Sequence, residues 1–352
     1  MPQAHAWAAH AADAPFAPYT FERRALNPDD IRIDILHCGI CHSDIHFASG
    51  DWGDPHYPCV PGHEIVGRVS EIGSAVTRFA VGDLAGVGCI VDSCGHCASC
   101  AEGLEQYCEN GMTGTYMGHD KQLNQPTYGG YSEFIVIRES YALKVGHDEA
   151  DLAAVAPLLC AGITTWSPLR HWGAGPGKTV GVVGIGGLGH MGVKLAHALG
   201  AKVVAITTSA DKAAEAKRLG ADEVIVSRDA AQMAAAEKTF DLIVNTVSAA
   251  QDLEIYVKLL RRDGALVLVG AGPERHTFPS IFPMLGRRAT IAASSIGGIA
   301  ETQEMLDFCA EKGIVADIEA IAVQDVDKAY ERVLKSDVRY RFVIDMGSLP
   351  KW

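Results

Sequence analysis

The chain has 352 residues, 48% of them hydrophobic and 21% charged, with a formal net charge of −13. Its length exceeds the size at which one hydrophobic core stops growing, so two domains are expected, and the composition excludes a disordered or low-complexity chain. The acidic balance excludes general binding to nucleic acid or to an anionic membrane, both of which need basic surface.

The opening stretch, MPQAHAWAAHAADAPFAPY, has no basic leader and is broken by His10, Asp13 and Pro15. No run reaches the roughly 18 apolar residues of a membrane span. A cytoplasmic protein is expected, in which ten cysteines act as thiols or metal ligands rather than disulfides.

From about residue 30 to 145, short β-branched runs alternate with glycine and proline: IRIDILHCG, EIVGRVSEIG, GDLAGVG and GGYSEFIVI. This punctuation predicts a compact, barrel-like β-rich domain. Beyond about residue 150 the period changes. KTVGVVGIG, KVVAITT, DEVIVS, FDLIVNTVS and ALVLVGA read as strands, while GLGHMGVKLAHALG, DKAAEAKRLG and LEIYVKLLRRDG read as helices. Regular alternation of this kind predicts a doubly wound α/β fold with a parallel sheet covered on both faces. Near residue 294 the pattern turns irregular and closes with a strand, RYRFVID, expected to return to the first domain and make it discontinuous. The expected boundaries are 1–152, 153–293 and 294–352.

Three groups of residues carry chemistry. The strand TVGVVG runs into GIGGLG, placing Gly184, Gly186, Gly187, Leu188 and Gly189 at a strand-to-helix turn. Glycines there let the backbone approach a pyrophosphate at the positive end of a helix, and the strand–turn–helix context makes a dinucleotide site. At the end of the next strand an NAD site would place an acid for the ribose hydroxyls. The sequence instead has Thr207, Thr208 and Ser209, with Lys212 beyond. Hydroxyls and an ammonium hold a 2′-phosphate that a carboxylate would repel, so NADP is expected. A helix N-cap would account for only one of those hydroxyls.

Cys94, Cys97, Cys100 and Cys108 are spaced for the closed shell of a structural zinc. An iron–sulfur cluster is the chief alternative. HCGICHSDIH, residues 37–46, contains a CxxCH of the kind that attaches haem and a CxxC that could serve as a redox pair. Farther along, PGHE supplies His63 and Glu64, and APLLCAGITT supplies Cys160. Each alone could be a turn histidine or a buried helix cysteine.

Taken together, GICHSDIH, PGHE, the four-cysteine lobe, LLCAGIT and GIGGLGH occur in the order found in zinc-dependent medium-chain alcohol dehydrogenases. TTSADK, SSIGG, ETQEMLDFCAEKGIVADIE and YRFVID resemble the cinnamyl-alcohol-dehydrogenase branch and its bacterial broad-range aldehyde reductases. The resemblance spans about residue 15 to Asp345. It implies a Rossmann domain beside a discontinuous GroES-like catalytic domain and two zinc ions. The catalytic zinc would lie in the interdomain cleft, held by Cys41, His63 and Cys160, with Glu64 as an exchanging ligand. Within HCGICHSDIH, only Cys41 then remains a ligand.

The same resemblance casts Asp44 as the carboxylate orienting the ligand histidine, and Ser43 and His46 as a proton relay. Thr164 would lie beside the nicotinamide, Arg341 on the cofactor phosphates, and Ser294 and Ile296 in the cofactor site. Trp52 and Thr113 would line the substrate pocket. His42 stands where some relatives have an arginine on the pyrophosphate. A homodimer through the nucleotide domain is implied, and no other macromolecular partner. The expected activity is hydride transfer between NADP(H) and primary alcohols or aldehydes. Aldehyde reduction would be favoured over a broad aliphatic and aromatic range. The alternatives are an NAD-preferring alcohol or polyol dehydrogenase and a nucleotide-binding relative without turnover.

Overall fold

Alternating isoleucines bury one face of the strand that organises the first sheet. The computed structural model describes residues 1–53, 56–272 and 274–351, and the chain divides into two compact units, residues 1–160 with 297–352 and residues 161–296.

In the first unit, β1 (Gln3–Ala8) and β2 (Ala17–Glu22) pair antiparallel. β3 (Asp30–Gly39), β4 (Ile65–Ile72) and β5 (Leu84–Val87) form an antiparallel run. β6 (Ile90–Asp92) pairs with β7 (Thr113–Gly114), and β8 (His119–Asp120) with β9 (Gln125–Pro126). β10 (Phe134–Arg138) lies along the start of β3 and β11 (Leu143–Lys144) along β5.

The second unit is one six-stranded parallel sheet made of β12 (Thr179–Val183), β13 (Lys202–Thr207), β14 (Glu223–Val226), β15 (Phe240–Asn245), β16 (Leu260–Leu268) and β17 (Thr290–Ala293). Its spatial order is β14-β13-β12-β15-β16-β17, the doubly wound arrangement with its switch point beside β12. Val183, Val204, Ile206, Phe240, Ile243, Tyr256 and Leu266 form one buried cluster in it.

The chain then returns. β18 (Ile318–Ala322) pairs with β19 (Arg341–Asp345), and β19 completes the edge of β3 that β10 leaves free, pairing Val343 with Gly39 and Ile344 with Cys38. The first domain is thus discontinuous: its seven-stranded sheet includes the chain's last strands.

LEIYVKLLRRDG, expected to be one helix, is split. The helix covers only Glu254–Val257, and β16 begins at Leu260, opposite Phe240. Asp263 adopts a left-handed backbone (φ +65°) that no helix continues, and buried Leu259 and Leu260 are drawn into the sheet's core. Among the described residues no single helix is long and apolar enough to cross a membrane.

Candidate active site and metal centres

β3 ends at Gly39, and Ile40 donates its N–H to the Phe342 carbonyl at 2.9 Å, which steers the chain into helix His42–Ser49. Cys41 caps that helix. Asp44, fully buried, accepts from the Cys41 N–H at 2.7 Å and from the Gly62 N–H at 3.1 Å. The carboxylate therefore ties together the two backbone stretches that carry Cys41 and His63. Its nearer approach to the imidazole, Oδ1 to His63 Nδ1, is 3.8 Å, beyond hydrogen-bond reach, so it positions the ligands mainly through their backbones.

Cys41, His63, Glu64 and Cys160 bring their donor atoms within 4.8 Å of one another, all buried. Cys41 Sγ and Cys160 Sγ are 3.8 Å apart. Two sulfurs on one zinc, each about 2.3 Å away, would stand about 3.8 Å apart in a tetrahedron. His63 Nε2 and Glu64 Oε2 are buried with no hydrogen-bond partner, an expensive arrangement unless a cation meets them. The donor set therefore fits a divalent ion such as zinc.

The four donors also shift one another's protonation. The hydrogen bond with Cys160 draws the Cys41 thiol well below its usual range, while the same contact pushes Cys160 up. Burial drives Glu64 up to about 8 despite the Arg341 guanidinium paired with it. For His63, burial lowers the pKa, but Cys89, Asp44 and Cys41 together outweigh it and hold the ring well above its ordinary value. A divalent ion would reverse these last preferences, favouring thiolates and a neutral imidazole.

The second cluster is Cys94, Cys97, Cys100 and Cys108, again with all donors within 4.8 Å. Cys94 and Cys100 sulfurs are 3.9 Å apart, Cys97 and Cys108 sulfurs 4.0 Å. These are edges of a tetrahedron around one ion. Thiolates of an iron–sulfur cluster bind different irons and stand farther apart, so the alternative left by spacing is disfavoured. Backbone N–H groups of Cys94, Cys97 and Glu109 each donate to a cluster sulfur at 3.4 Å, spreading the charge of four thiolates.

Ser43 and His46, three residues apart on one helix, share a face. Ser43 Oγ lies 3.6 Å from Cys41 Sγ. His46 Nδ1 is 3.0 Å from Asp51 Oδ2, and the Trp52 ring stacks on the imidazole at 4.9 Å. Trp52 thus touches the histidine of the expected relay. Thr113 lies in β7 instead, where with Cys94 and His96 it lines a cavity of about 660 Å3 beside the lobe. Tyr116, three residues on, is the one that meets the first cluster, its ring parallel to His63 at 5.6 Å. Arg341 is buried and paired with Glu64, and His42 is exposed.

Three side chains that spacing did not single out belong to this surrounding: Asp51, Tyr116 and Cys89. An Asp five residues after a histidine is unremarkable in sequence. The other two come near through strand pairing, which no local pattern displays.

In the nucleotide unit, Gly184 turns with φ +86° at the end of β12. A Cβ on Gly189 would stand 1.8 Å from the Gly184 carbonyl oxygen, so the turn and helix Gly189–Ala198 can close only without a side chain there. Gly186 is exposed, with Gly187 and Leu188 half-buried before the helix. Thr207 ends β13 and is buried, and Thr208 is exposed. Ser209 caps the following turn, and its hydroxyl donates to Asp211 Oδ2 at 2.9 Å. Lys212 Nζ reaches the Ile185 carbonyl at 3.3 Å, which places the ammonium beside the glycine-rich turn. Thr164 is buried in helix Ala161–His171. The Ser294 N–H donates to the Leu268 carbonyl at 3.1 Å, and Ile296 has φ +36°.

Residues 27–147 match the alcohol dehydrogenase GroES-like domain and residues 187–311 the zinc-binding dehydrogenase domain. The chain is 58% identical over 341 residues to the aldehyde reductase YahK of Escherichia coli K12, covering 97% of each. A cinnamyl alcohol dehydrogenase of Sorghum bicolor superposes with a TM-score of 0.94 at 42% identity, covering 100% of both chains. The cinnamyl alcohol dehydrogenase of Helicobacter pylori, solved with NADP(H), does so with 0.90 at 40% identity over 98% of each. With such likeness along its whole length and two donor clusters built to hold zinc, the chain belongs to the zinc-dependent medium-chain alcohol dehydrogenases.

Proposed function

We propose that the protein is an NADPH-dependent aldehyde reductase of the cinnamyl-alcohol-dehydrogenase-like branch, working on a broad range of aliphatic and aromatic aldehydes. The 58%-identical relative is an aldehyde reductase, and NADP(H) is the ligand of the Helicobacter pylori structure. The observation that carries the cofactor choice is the end of β13. Thr208 stands exposed there and Lys212 reaches back to the glycine-rich turn, while Asp211, the nearest acid, is turned onto Ser209. Hydroxyl and ammonium groups would bind a 2′-phosphate.

Cys41, His63 and Cys160 would hold the catalytic zinc, and the four-cysteine lobe a structural one. When bound, zinc polarises the aldehyde as a Lewis acid and NADPH supplies hydride. Ser43 hands a proton to the product oxygen, and His46, one turn on, holds the next, its ring fixed by Asp51 and covered by Trp52. The first unit is then the catalytic domain and the second the nucleotide domain.

We further propose a homodimer through β17. That edge strand, TIAA, carries no charge, and Phe278, Ile281, Phe282 and Leu285 beside it are exposed. Following NADPH and NADH oxidation with short aliphatic, branched and aromatic aldehydes tests the enzymatic reading. NADPH should be preferred by at least about 10-fold in kcat/KM, a difference of about 1.4 kcal/mol. Thr208→Asp should erase that preference. Equal use of both cofactors by the unaltered protein would overturn the assignment.

A further inference from the structure

The cavity of about 660 Å3 that Thr113 lines beside the four-cysteine lobe has no role in the reaction proposed above, and none of the first cluster's four donors lines it. Its volume is that of a small-molecule site, and its walls all belong to the first unit. β2 contributes Phe21, the segment after it Arg23 and Arg24, and β10 Val136 and Arg138.

Arg23 is the unusual member. It is 9% exposed, and one nitrogen, Nη2, makes its hydrogen bonds, donating to the Tyr128 carbonyl at 3.0 Å, the Gly129 carbonyl at 3.2 Å and the Ser132 hydroxyl at 2.9 Å. Nε is buried with no partner, and among the described residues no carboxylate lies within ion-pair reach of the guanidinium. The Phe21 ring meets it instead, at 4.9 Å, a contact that offsets only part of a buried charge. Burial, and then the charge of neighbouring Arg24, pull the guanidinium down to about 9, with Asp120 opposing from farther off. At neutral pH the group is still a cation.

The other charges around the cavity are accounted for. Arg24 pairs with buried Asp30, and Arg138 with Asp92. Asp120 accepts the Gln122 and Leu123 N–H groups of its own turn at 2.9 and 3.1 Å. Glu22, Asp29 and Lys121 are exposed to water. Arg23 is therefore left as a buried cation without a counter-ion, an arrangement that an anion in the cavity would relieve.

The wall beside that cation is apolar. The Phe21 and Tyr128 rings lie 4.3 Å apart, and Val136 lines the cavity from β10. A guanidinium next to a ring face matches a flat ring bearing a carboxylate: the carboxylate accepts from the N–H groups and the ring packs on the ring.

We propose that this cavity binds an aromatic carboxylate, its anion paired with Arg23 and its ring packed against Phe21 and Tyr128. The site stands apart from the metal cluster and does not depend on the enzymatic reading.

The test is a calorimetric titration of the whole protein with benzoate, repeated on Arg23→Lys and Val136→Phe. The parent should bind at millimolar benzoate or below. Arg23→Lys removes the planar N–H fork, and Val136→Phe fills the cavity while leaving the three acceptors of Arg23 in place. Each should weaken binding at least about 10-fold, the loss of one charge-assisted hydrogen bond or of its packing equivalent. Far-ultraviolet circular dichroism shows which variants fold, and Val136→Phe keeps the test decisive where Arg23→Lys does not. Parent affinity in either folded variant would overturn the proposal and put the carboxylate elsewhere, at the first metal cluster for one. A parent protein that binds no benzoate at millimolar concentration would overturn it as well.

Discussion

Gly39 carries no side chain because Glu64 fills the place of one. A Cβ there would stand 1.9 Å from Glu64 Oε2, 2.9 Å from its Cδ and 3.0 Å from its Cβ, so rotating the carboxylate alone cannot relieve the clash. Glu64 is fully buried and paired with Arg341, itself 5% exposed. Gly39→Ala must therefore separate a buried ion pair, which costs about 3–5 kcal/mol. In thermal unfolding this should lower Tm by roughly 5 °C for a chain of this size. An unchanged Tm would show that Glu64 does not pack there. The sequence pattern flags His63 and Glu64 as adjacent candidates, but nothing in HCGI announces that Gly39, at the end of β3, is reserved for a distant carboxylate. Asp51 and Tyr116 were illegible for the same reason: one acts through a ring it meets after a turn, the other through a face formed by separate strands.

At the scale of the element, the four-cysteine lobe is the clearest case of local sequence dictating local structure. It has little apolar core of its own: its helix Ala98–Ala101 is one turn long and buries no residue, and its 3-10 turn Glu105–Tyr107 buries none either. What holds it is the convergence of four sulfurs, which spacing alone could foresee. Cys100→Ala should remove one zinc per chain and, through loss of metal-coupled folding energy, lower Tm by roughly 10 °C or more. Zinc content and calorimetry on one sample check both. Retention of two zinc ions with an unchanged Tm would refute the assignment. The segment around residue 258 shows the opposite case. Helical periodicity in LEIYVKLLRRDG is real, but buried Leu259 and Leu260 serve the sheet core and Asp263 turns the chain, so tertiary packing ends the helix early. The hairpin of β1 and β2 was likewise hidden, because an alanine-rich stretch pairs as a strand only once Ser132 and Cys59 lie against it.

For the whole molecule, the alternation of strands and helices made the parallel sheet legible, whereas which of its edges stays open is a matter of side-chain chemistry. At one edge, β14 carries Glu223, whose carboxylate pairs with Lys202 of β13 at 2.6 Å. Charge of this kind discourages further strand pairing. At the other, β17 offers Thr290, Ile291, Ala292 and Ala293 with no charge, and the adjoining segment exposes Phe282 by 78%. An uncharged edge beside an apolar patch can pair with itself about a two-fold axis, giving an isologous dimer. The net charge of −13 on each chain opposes nonspecific association, so this patch is where the proposed homodimer would make its contact. Light scattering at micromolar protein should give the mass of two chains. Phe282→Asp places a charge on each copy at the symmetric contact and should yield the mass of one chain, with its far-ultraviolet circular dichroism retained. A parent protein that is already monomeric, or a variant that stays dimeric, would place the dimer contact elsewhere or remove it.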